Sequence, residues 1–270
     1  MRVFISADME GISSVTGWYD VTPGTAEYET ARVWMTDDVN AAILGALDAG
    51  AQRILVNDGH GNHRNLIPER LDAHAELIRG YTKPLGMMEG IDGGWDAVFF
   101  IGYHARLSVR DGLLGHTLSP ECFRDIRLNG RSVSEAELNA AVAGTFDVPV
   151  VLISGDSSLD REIKGFLPAV QIVVVKTSLE YETAVLVHPS ITRDRIRQAA
   201  RLALEGTSNV TPYCVETPCV IEAEFQETAT ATLASSVPTV ARVGAATVRF
   251  EAPDAAVALK ILKVFLRLGS

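Results

Sequence analysis

Residues 1–11 read MRVFISADMEG and join a short apolar run, Val3–Ala7, directly to two acidic side chains, Asp8 and Glu10. The same arrangement recurs at 54–60 (ILVNDGH) and at 98–104 (VFFIGYH), where an apolar run again ends in polar residues. Continuous apolar runs of this kind are typical of strands in a parallel sheet whose two faces are covered by helices. This stretch therefore predicts the α/β fold class.

Helical patterns lie between these runs. Tyr28–Ala49 carries apolar residues at helical spacing and stops before Gly50, and a second helix is predicted from about Glu135 to Gly144. Further strand candidates follow at Pro149–Ser154 and Gln171–Lys176. The alternation predicts a mostly parallel sheet with helices on both faces over residues 1–190.

The last 80 residues or so have a different pattern. Ile221, Ala223 and Phe225 alternate with Glu222 and Glu224, as in a strand with one solvated face. Pro253 opens a final helix, whose predicted buried residues are Val257, Ile261, Val264, Phe265 and Leu268. We therefore predict a smaller α+β domain over residues 191–270.

The composition narrows the class of protein. The 270 residues include 47% hydrophobic and 21% charged side chains, with a formal net charge of −10, which argues against nucleic acid and anionic membranes as partners. The first apolar run is too short for a signal peptide, and no run approaches the roughly 18 apolar residues of a membrane span. Three cysteines (Cys122, Cys214 and Cys219) form no paired motif, so we expect reduced thiols and a cytoplasmic protein.

Polar residues are concentrated where the predicted strands end. Asp8 and Glu10 follow the first strand, His60 follows the second, His104 follows the third, and Glu135 opens a helix. Ligands of parallel α/β sheets bind beyond the carboxyl ends of the strands, so these side chains are expected to meet. Two imidazoles with three carboxylates suit zinc better than calcium or magnesium, and five ligands suit two ions roughly 3.5–4 Å apart. We expect Asp8 to bridge them.

Each of these residues also has a structural explanation that the sequence leaves open. Asp8 and Glu10 can cap the segment that follows, and His60 lies in a glycine-flanked loop where histidines are usually solvated. His104 closes an apolar run, where a hydrogen-bonded core histidine is the usual outcome. The helix dipole favours Glu135 at a first helical position.

Several nearby polar residues are expected to be structural rather than functional. Glu137 follows Ser134 as in a capping box. By pattern alone His116 stands apart and favours a structural role. The remaining histidines are expected to be solvated or structural, namely His63, His74 and His188.

At these residues the chain resembles the zinc-dependent D-aminopeptidases associated with bacterial dipeptide-transport operons. The resemblance runs in order over about the first 160 residues. It rests on DMEGIS (8–13), ND-x-HG (57–61), MMEGID (87–92), GYHA (102–105), GLLGHT (112–117), NGR-x-V-x-E-x-x-LNA-x-VAG (129–144) and ISGD (153–156).

The resemblance implies roles for particular residues. Two zinc ions per subunit are bound at Asp8, Glu10, His60, His104 and Glu135, and His116 beside them is catalytic. It also implies a cytoplasmic ring-like homodecamer that removes N-terminal D-amino acids, chiefly D-Ala, from short peptides. Residues 1–190 then form the catalytic metal-binding domain, and 191–270 contribute to the substrate chamber and assembly. The expected mechanism is two-metal hydrolysis by a bridging hydroxide.

Two other functions are compatible with the sequence. The same metal pair can serve an amidohydrolase or deacylase that acts on a non-peptide amide. A non-enzymatic metabolite-binding α/β module is the third hypothesis, but the chain has no GxGxxG or GxxxxGKS phosphate loop.

Overall fold

The computed structural model describes residues 1–269 of the chain. Its strands, in chain order, are β1 (Arg2–Ala7), β2 (Arg53–Asp58), β3 (Ala75–Ile78), β4 (Ala97–Tyr103), β5 (Phe123–Leu128), β6 (Arg131–Ser132), β7 (Val150–Asp156), β8 (Gln171–Glu180), β9 (Thr183–Leu186), β10 (Cys219–Phe225), β11 (Ala241–Arg242) and β12 (Thr247–Ala252). Its α-helices are α1 (Trp18–Val21), α2 (Ala26–Asp48), α3 (Glu135–Thr145), α4 (Ser157–Ile163), α5 (Pro189–Glu205), α6 (Thr228–Ala234) and α7 (Ala255–Leu268). Three 3₁₀ turns lie at Gly86–Met88, Ile91–Gly93 and Thr207–Asn209.

The larger sheet has the strand order β3-β2-β1-β4-β7-β8-β9. All its neighbours are parallel except β9, which returns antiparallel along β8. Helices cover both faces, because side chains alternate along each strand. Val3 and Ile5 of β1 point into a core shared with α2 and α5, whereas Phe4 points into the opposite core, which contains α3 and α7. The predicted fold class is confirmed.

The smaller sheet is antiparallel, with the order β11-β12-β10-β5-β6. On β10, Ile221, Ala223 and Phe225 are buried while Glu222 and Glu224 stay partly exposed, as the alternation predicts. Its apolar face packs on α6 and α7. Two of its strands, β5 and β6, come from the middle of the chain and are joined by the turn at Asn129–Gly130.

The division at residue 190 stays a prediction. The sheets do not change over at that point, because β5 and β6 precede it in the chain and pair with the later strand β10. Helix α5, which begins at Pro189, packs on α2 against the larger sheet. The two layers are therefore interleaved along the chain.

The predicted buried face of the last helix is wrong in part. Val264 and Leu268 are 52% and 36% exposed, and Val257 and Ile261 are only partly buried. The inward side chains of α7 are Ala255, Ala258, Leu259, Leu262, Phe265 and Leu266. This helix carries apolar residues on two neighbouring stripes, so periodicity alone does not decide which one faces the core.

No helix among residues 1–269 combines the length and the apolar character needed to cross a membrane.

Candidate metal centre

The carboxyl edge of the larger sheet collects the predicted site residues. Asp8 follows β1, His104 follows β4, and His60 lies two residues after β2. Glu135 is the first residue of α3 and enters from the side. All the predicted residues are buried, with exposed fractions between 1% and 8%: Asp8, Glu10, His60, His104, His116 and Glu135.

The ligand atoms of these side chains lie close together. His60 Nδ1 is 2.9 Å from Glu10 Oε2 and 3.7 Å from Asp8 Oδ1. His104 Nε2 is 3.2 Å from Glu135 Oε2 and 3.4 Å from Asp8 Oδ2. Three groups have ligand atoms within 4.8 Å of one another: Asp8–His104–Glu135, Asp8–Glu10–His60, and Glu10–His104–His116.

Backbone carbonyls orient all three imidazoles. A carbonyl oxygen only accepts, so the ring nitrogen that faces it must carry the hydrogen. His60 Nε2 donates to Val21 O, His104 Nδ1 to Ala105 O, and His116 Nδ1 to Leu114 O, at 2.9, 2.9 and 2.8 Å. The other nitrogen of each ring is left facing the carboxylates, as in histidines that bind metals.

The polar atoms at the centre lack partners of their own. Asp8 Oδ2 and His104 Nε2 are buried without a hydrogen bond. With Nε2 of His60 already donating, its Nδ1 and Glu10 Oε2 are two acceptors 2.9 Å apart, which requires a proton or a metal ion between them. Buried polar atoms normally find partners, so this arrangement fits a bound cation.

The electrostatics of the cluster also fit a cation. Burial, reinforced by the Glu10 carboxylate, raises the pKa of Asp8 to about 7. Burial lowers the pKa of His104, but the Glu135 and Asp8 carboxylates outweigh it and raise that pKa to about 10. The histidines in turn outweigh burial at Glu10 and hold its pKa well below the usual value. The carboxylates therefore favour positive charge at this centre, from protonated imidazoles or from a bound divalent ion.

The donor set is compatible with a dinuclear zinc site. Its nitrogen and carboxylate oxygen atoms suit zinc, whereas calcium and magnesium prefer oxygen alone. Asp8, Glu10 and His104 each belong to two of the three ligand groups, and the two oxygens of Asp8 approach different histidines, His60 and His104. This is the geometry expected of a carboxylate between two ions.

The loop that carries Glu10 is held by backbone contacts and one lysine. A Cβ at Gly11 would lie 1.9 Å from Tyr103 O, so only glycine allows this approach of the loop to β4. The ammonium of Lys176, on β8, is fully buried and donates to the carbonyl oxygens of Glu10, Ile12 and Val15 at 2.6, 2.8 and 2.6 Å. All three donors of this ammonium are used within the loop.

His116 lies on the open side of the centre. Its ring stacks on His104 with centroids 4.1 Å apart, and its Nε2 is 3.6 Å from Glu135 Oε2 and 3.9 Å from Glu10 Oε1. Unlike His104, it lines the cavity in front of the cluster. Burial, together with neighbouring His104, lowers the pKa of His116. The ring is therefore neutral near pH 7 and can accept a proton at Nε2.

The cavity beside the cluster has a volume of about 360 Å³. Two of its polar lining residues were missed from the sequence. Asn139 lies four residues after Glu135, on the same face of α3, and this i, i+4 spacing is the signal that could have revealed it. Lys263 reaches the cavity from α7. Lys263 was not predicted, because the periodicity of α7 did not show which side of the helix faces the cavity.

The remaining predicted polar residues lie outside the ligand groups, and two of the predictions made for them are wrong. His63 is 3% exposed rather than solvated; it is held by Asp58 O and lies edge-on to Tyr81. Ser134 accepts from the Glu137 backbone N–H, but the Glu137 carboxylate bonds Arg131 and Tyr213 instead of closing a capping box. Two histidines behave as expected: His74 pairs with Asp72, and His188 caps α5.

Comparisons with known proteins agree with this site. The family model Peptidase_M55, described as D-aminopeptidase, matches residues 1–264. A D-aminopeptidase from Bacillus subtilis (strain 168) is 34% identical over 270 residues, covering 100% of this chain and 98% of the relative. The solved structure of the Zn-dependent D-aminopeptidase DppA from Bacillus subtilis, described as a self-compartmentalizing protease, matches with a TM-score of 0.95 at 33% identity, covering 100% of this chain and 98% of that one. The chain therefore belongs to the Peptidase_M55 family of D-aminopeptidases and is a metallopeptidase.

Proposed function

We propose that this protein is a zinc-dependent aminopeptidase that removes the N-terminal residue, a D-amino acid such as D-Ala, from short peptides. The observation that carries the proposal is the buried cluster of carboxylates and imidazoles at the wall of a cavity, with unpartnered atoms at its centre. The D-stereochemistry follows from the relatives, which are D-aminopeptidases.

Five residues would hold the metal. Asp8, His104 and Glu135 form one ligand group, and Asp8, Glu10 and His60 form the other, with Asp8 shared. This assignment gives two zinc ions per chain. When bound, zinc acts as a Lewis acid toward the scissile carbonyl and makes water nucleophilic near neutral pH.

His116 would move the proton. Its Nδ1–H is held by Leu114 O, so Nε2 is the atom available to accept a proton from the attacking water. As the C–N bond of the substrate breaks, the same Nε2–H returns the proton to the leaving amine. Stacking on His104 keeps the ring beside the cluster during both transfers.

Asn139 would receive the free α-ammonium of the substrate. Ser6 Oγ donates to Met87 O, which leaves Tyr103 O–H to donate to Ser6 Oγ and Asn139 Nδ2 to donate to Tyr103 Oη. This chain of hydrogen bonds fixes the amide with Oδ1 as a buried acceptor that has no partner. Asn139 lines the cavity one helical turn from Glu135, so its unsatisfied amide oxygen would suit the ammonium of a substrate and would favour cleavage at N-termini.

The assembly belongs to the same proposal. The structural relative is a self-compartmentalizing protease, and we propose that this chain forms a ring-like homodecamer enclosing the active sites. The decamer and a cytoplasmic location stay predictions. Size-exclusion chromatography with light scattering measures the number of chains.

Metal content and activity should be measured on one preparation. We expect two zinc ions per chain, hydrolysis of D-Ala-D-Ala, little action on L-Ala-L-Ala and none on N-acetyl-D-Ala. Chelation should abolish the activity and added zinc should restore it. Full activity after exhaustive chelation would contradict the proposal, and hydrolysis of the N-acyl substrate would indicate the amidohydrolase alternative instead.

A further inference from the structure

One cation of the cavity has no part in the chemistry proposed above. Of the described residues that line the cavity, Lys263 is the only lysine or arginine. It lies on α7, in the layer that packs on the smaller sheet, whereas the metal ligands lie on the larger sheet and at the start of α3. The question is what this ammonium binds.

The side chain of Lys263 is guided toward the cavity by its surroundings. It passes along Gly86, where a Cβ would lie 3.4 Å from Cδ and 3.6 Å from Nζ of the lysine. Its Nζ is 5.1 Å from the centre of the Tyr81 ring, a ring that also carries the Arg267 guanidinium at 4.1 Å. The lysine stem is thus packed, and its charged end is directed along the cavity wall.

Among the residues that the structure describes, Lys263 has no anionic partner. Within residues 1–269 no carboxylate oxygen comes within the 4.0 Å of an ion pair with its Nζ. Burial lowers its pKa from the usual value, while the Glu135 carboxylate raises it. A partly buried ammonium without a paired carboxylate is costly, and an anion that entered the cavity would supply the missing partner.

The charges of the lining match the two ends of a peptide. Asp8, Glu10 and Glu135 gather at the metal centre, and Lys263, on α7, is the positive side chain of the described lining, with none of these carboxylates within ion-pair distance. The other acid of the lining, Glu121, is exposed to water. A volume of about 360 Å³ lies near the lower end of the usual range of roughly 300–1,000 Å³ for small-ligand sites, so it suits a di- or tripeptide.

We propose that Lys263 binds the C-terminal carboxylate of a short peptide whose N-terminal residue lies at the metal centre. The enzyme then selects short peptides with a free carboxyl end. This inference rests on the proposed aminopeptidase function and adds the length and end-group selectivity of the same site.

The test compares free and amidated peptides on three forms of the zinc-loaded protein. The substrates are D-Ala-D-Ala and D-Ala-Gly-Gly, each as the free acid and as the C-terminal amide. The proteins are wild type, Lys263→Met and the matched control Lys260→Met, whose lysine is exposed on the same helix. Both kcat/KM and calorimetric affinity are measured, and zinc content is checked for each protein.

We expect the wild type and Lys260→Met to prefer the free acid over the amide by roughly 10- to 100-fold for at least one peptide length, as a hydrogen-bonded charge pair implies. Lys263→Met should lose that preference because its kcat/KM for the free acid falls. Its kcat/KM for the amide should change less than about threefold. Lys263→Arg should keep part of the preference because it keeps the charge.

Separate outcomes distinguish the two proposals. The proposal for Lys263 is wrong if the wild type hydrolyses the free acid and the amide equally at both peptide lengths, or if Lys263→Met keeps the preference for the acid. The aminopeptidase proposal stands in either case. If the wild type binds the acid more tightly than the amide but cleaves neither, the carboxylate site stands and the aminopeptidase proposal fails.

Discussion

Two regions at the cavity differ in how their polar groups are satisfied. The metal edge, defined as Asp8, Glu10, His60, His104 and Glu135, is held from behind by backbone carbonyls, by tight glycine contacts and by Lys176. The α7 wall, defined as Tyr81, Gly86, Leu259, Lys263 and Leu266, is mostly apolar, and its ammonium has no carboxylate within ion-pair distance among the described residues.

This difference suggests that the two regions have different roles, one in metal binding and the other in substrate selection. Groups that must hold a metal need fixed positions, so their second hydrogen-bonding atoms are committed to the backbone. Groups that select a substrate must stay available until the substrate arrives. The metal edge is therefore expected to govern turnover, and the α7 wall to govern which peptide is accepted.

The largest effect is expected at the metal edge itself. His104→Ala removes a nitrogen that belongs to two of the three ligand groups. We expect zinc below two ions per chain and a loss of kcat of about 10³-fold or more, because a metal supplies several kcal/mol of transition-state stabilisation. Metal analysis and kinetics on D-Ala-D-Ala measure both. The control is His74→Ala, an exposed histidine paired with Asp72.

His116→Ala separates the proton carrier from the ligands. We expect kcat to fall about 10²- to 10⁴-fold, the usual contribution of general acid–base catalysis, while zinc stays near two ions per chain. Loss of zinc in this variant would mean that the Glu10–His104–His116 group holds metal and that His116 is a ligand.

Lys176→Met tests the support behind the metal edge. Removing the ammonium leaves the buried carbonyl oxygens of Glu10 and Val15 without a donor, while Ile12 O keeps the Val15 N–H. We expect the free energy of unfolding to fall by about 2 kcal/mol or more, since each of these two unsatisfied buried acceptors costs about 1–3 kcal/mol. Chemical denaturation measures it. Lys164→Met, at an exposed ion pair with Asp160, should change stability by less than about 0.5 kcal/mol.

Asn139→Leu acts beside the metal edge, since Asn139 lies one helical turn after Glu135 on α3 and its amide contacts Met87. We expect the affinity for D-Ala-D-Ala to fall roughly 10-fold, because an ammonium loses its acceptor. The affinity for the desamino analogue propionyl-D-Ala should not change. Calorimetry gives both values, and an equal loss for the two ligands would indicate a purely structural role.

The smallest effect concerns the packing of helix α7. Cys122 contacts Phe265 O of α7, and burial raises the pKa of its thiol to about 11. A raised pKa leaves less thiolate, so at about pH 8 Cys122 should resist iodoacetamide while exposed Cys214 reacts. Mass spectrometry should find one label per chain in the native protein and three after unfolding. Rapid labelling of Cys122 would mean that α7 opens.

Much of the metal edge was predictable from the sequence. Apolar runs that end in acids and imidazoles predict parallel strands, and parallel strands bring their carboxyl ends to one edge whatever the rest of the fold does. The strands at Arg53–Asp58 and Ala97–Tyr103 and the helix at Ala26–Asp48 follow from local periodicity alone. The order of the strands in the sheet was not predicted, and the preference for a metal site over the structural explanations of the five residues rested on the ordered family motifs.

Other features were decided only by the tertiary structure, because they depend on contacts between residues far apart in the chain. The pairing of Phe123–Leu128 with Cys219–Phe225 is non-local and leaves no periodic signal. Which nitrogen of His60 faces Glu10 depends on where Val21 O lies. Lys263 reaches the cavity because α7 turns one of two similar apolar stripes inward. Local chemistry thus determined the ligands, and packing determined their tautomers and the far wall that selects the substrate.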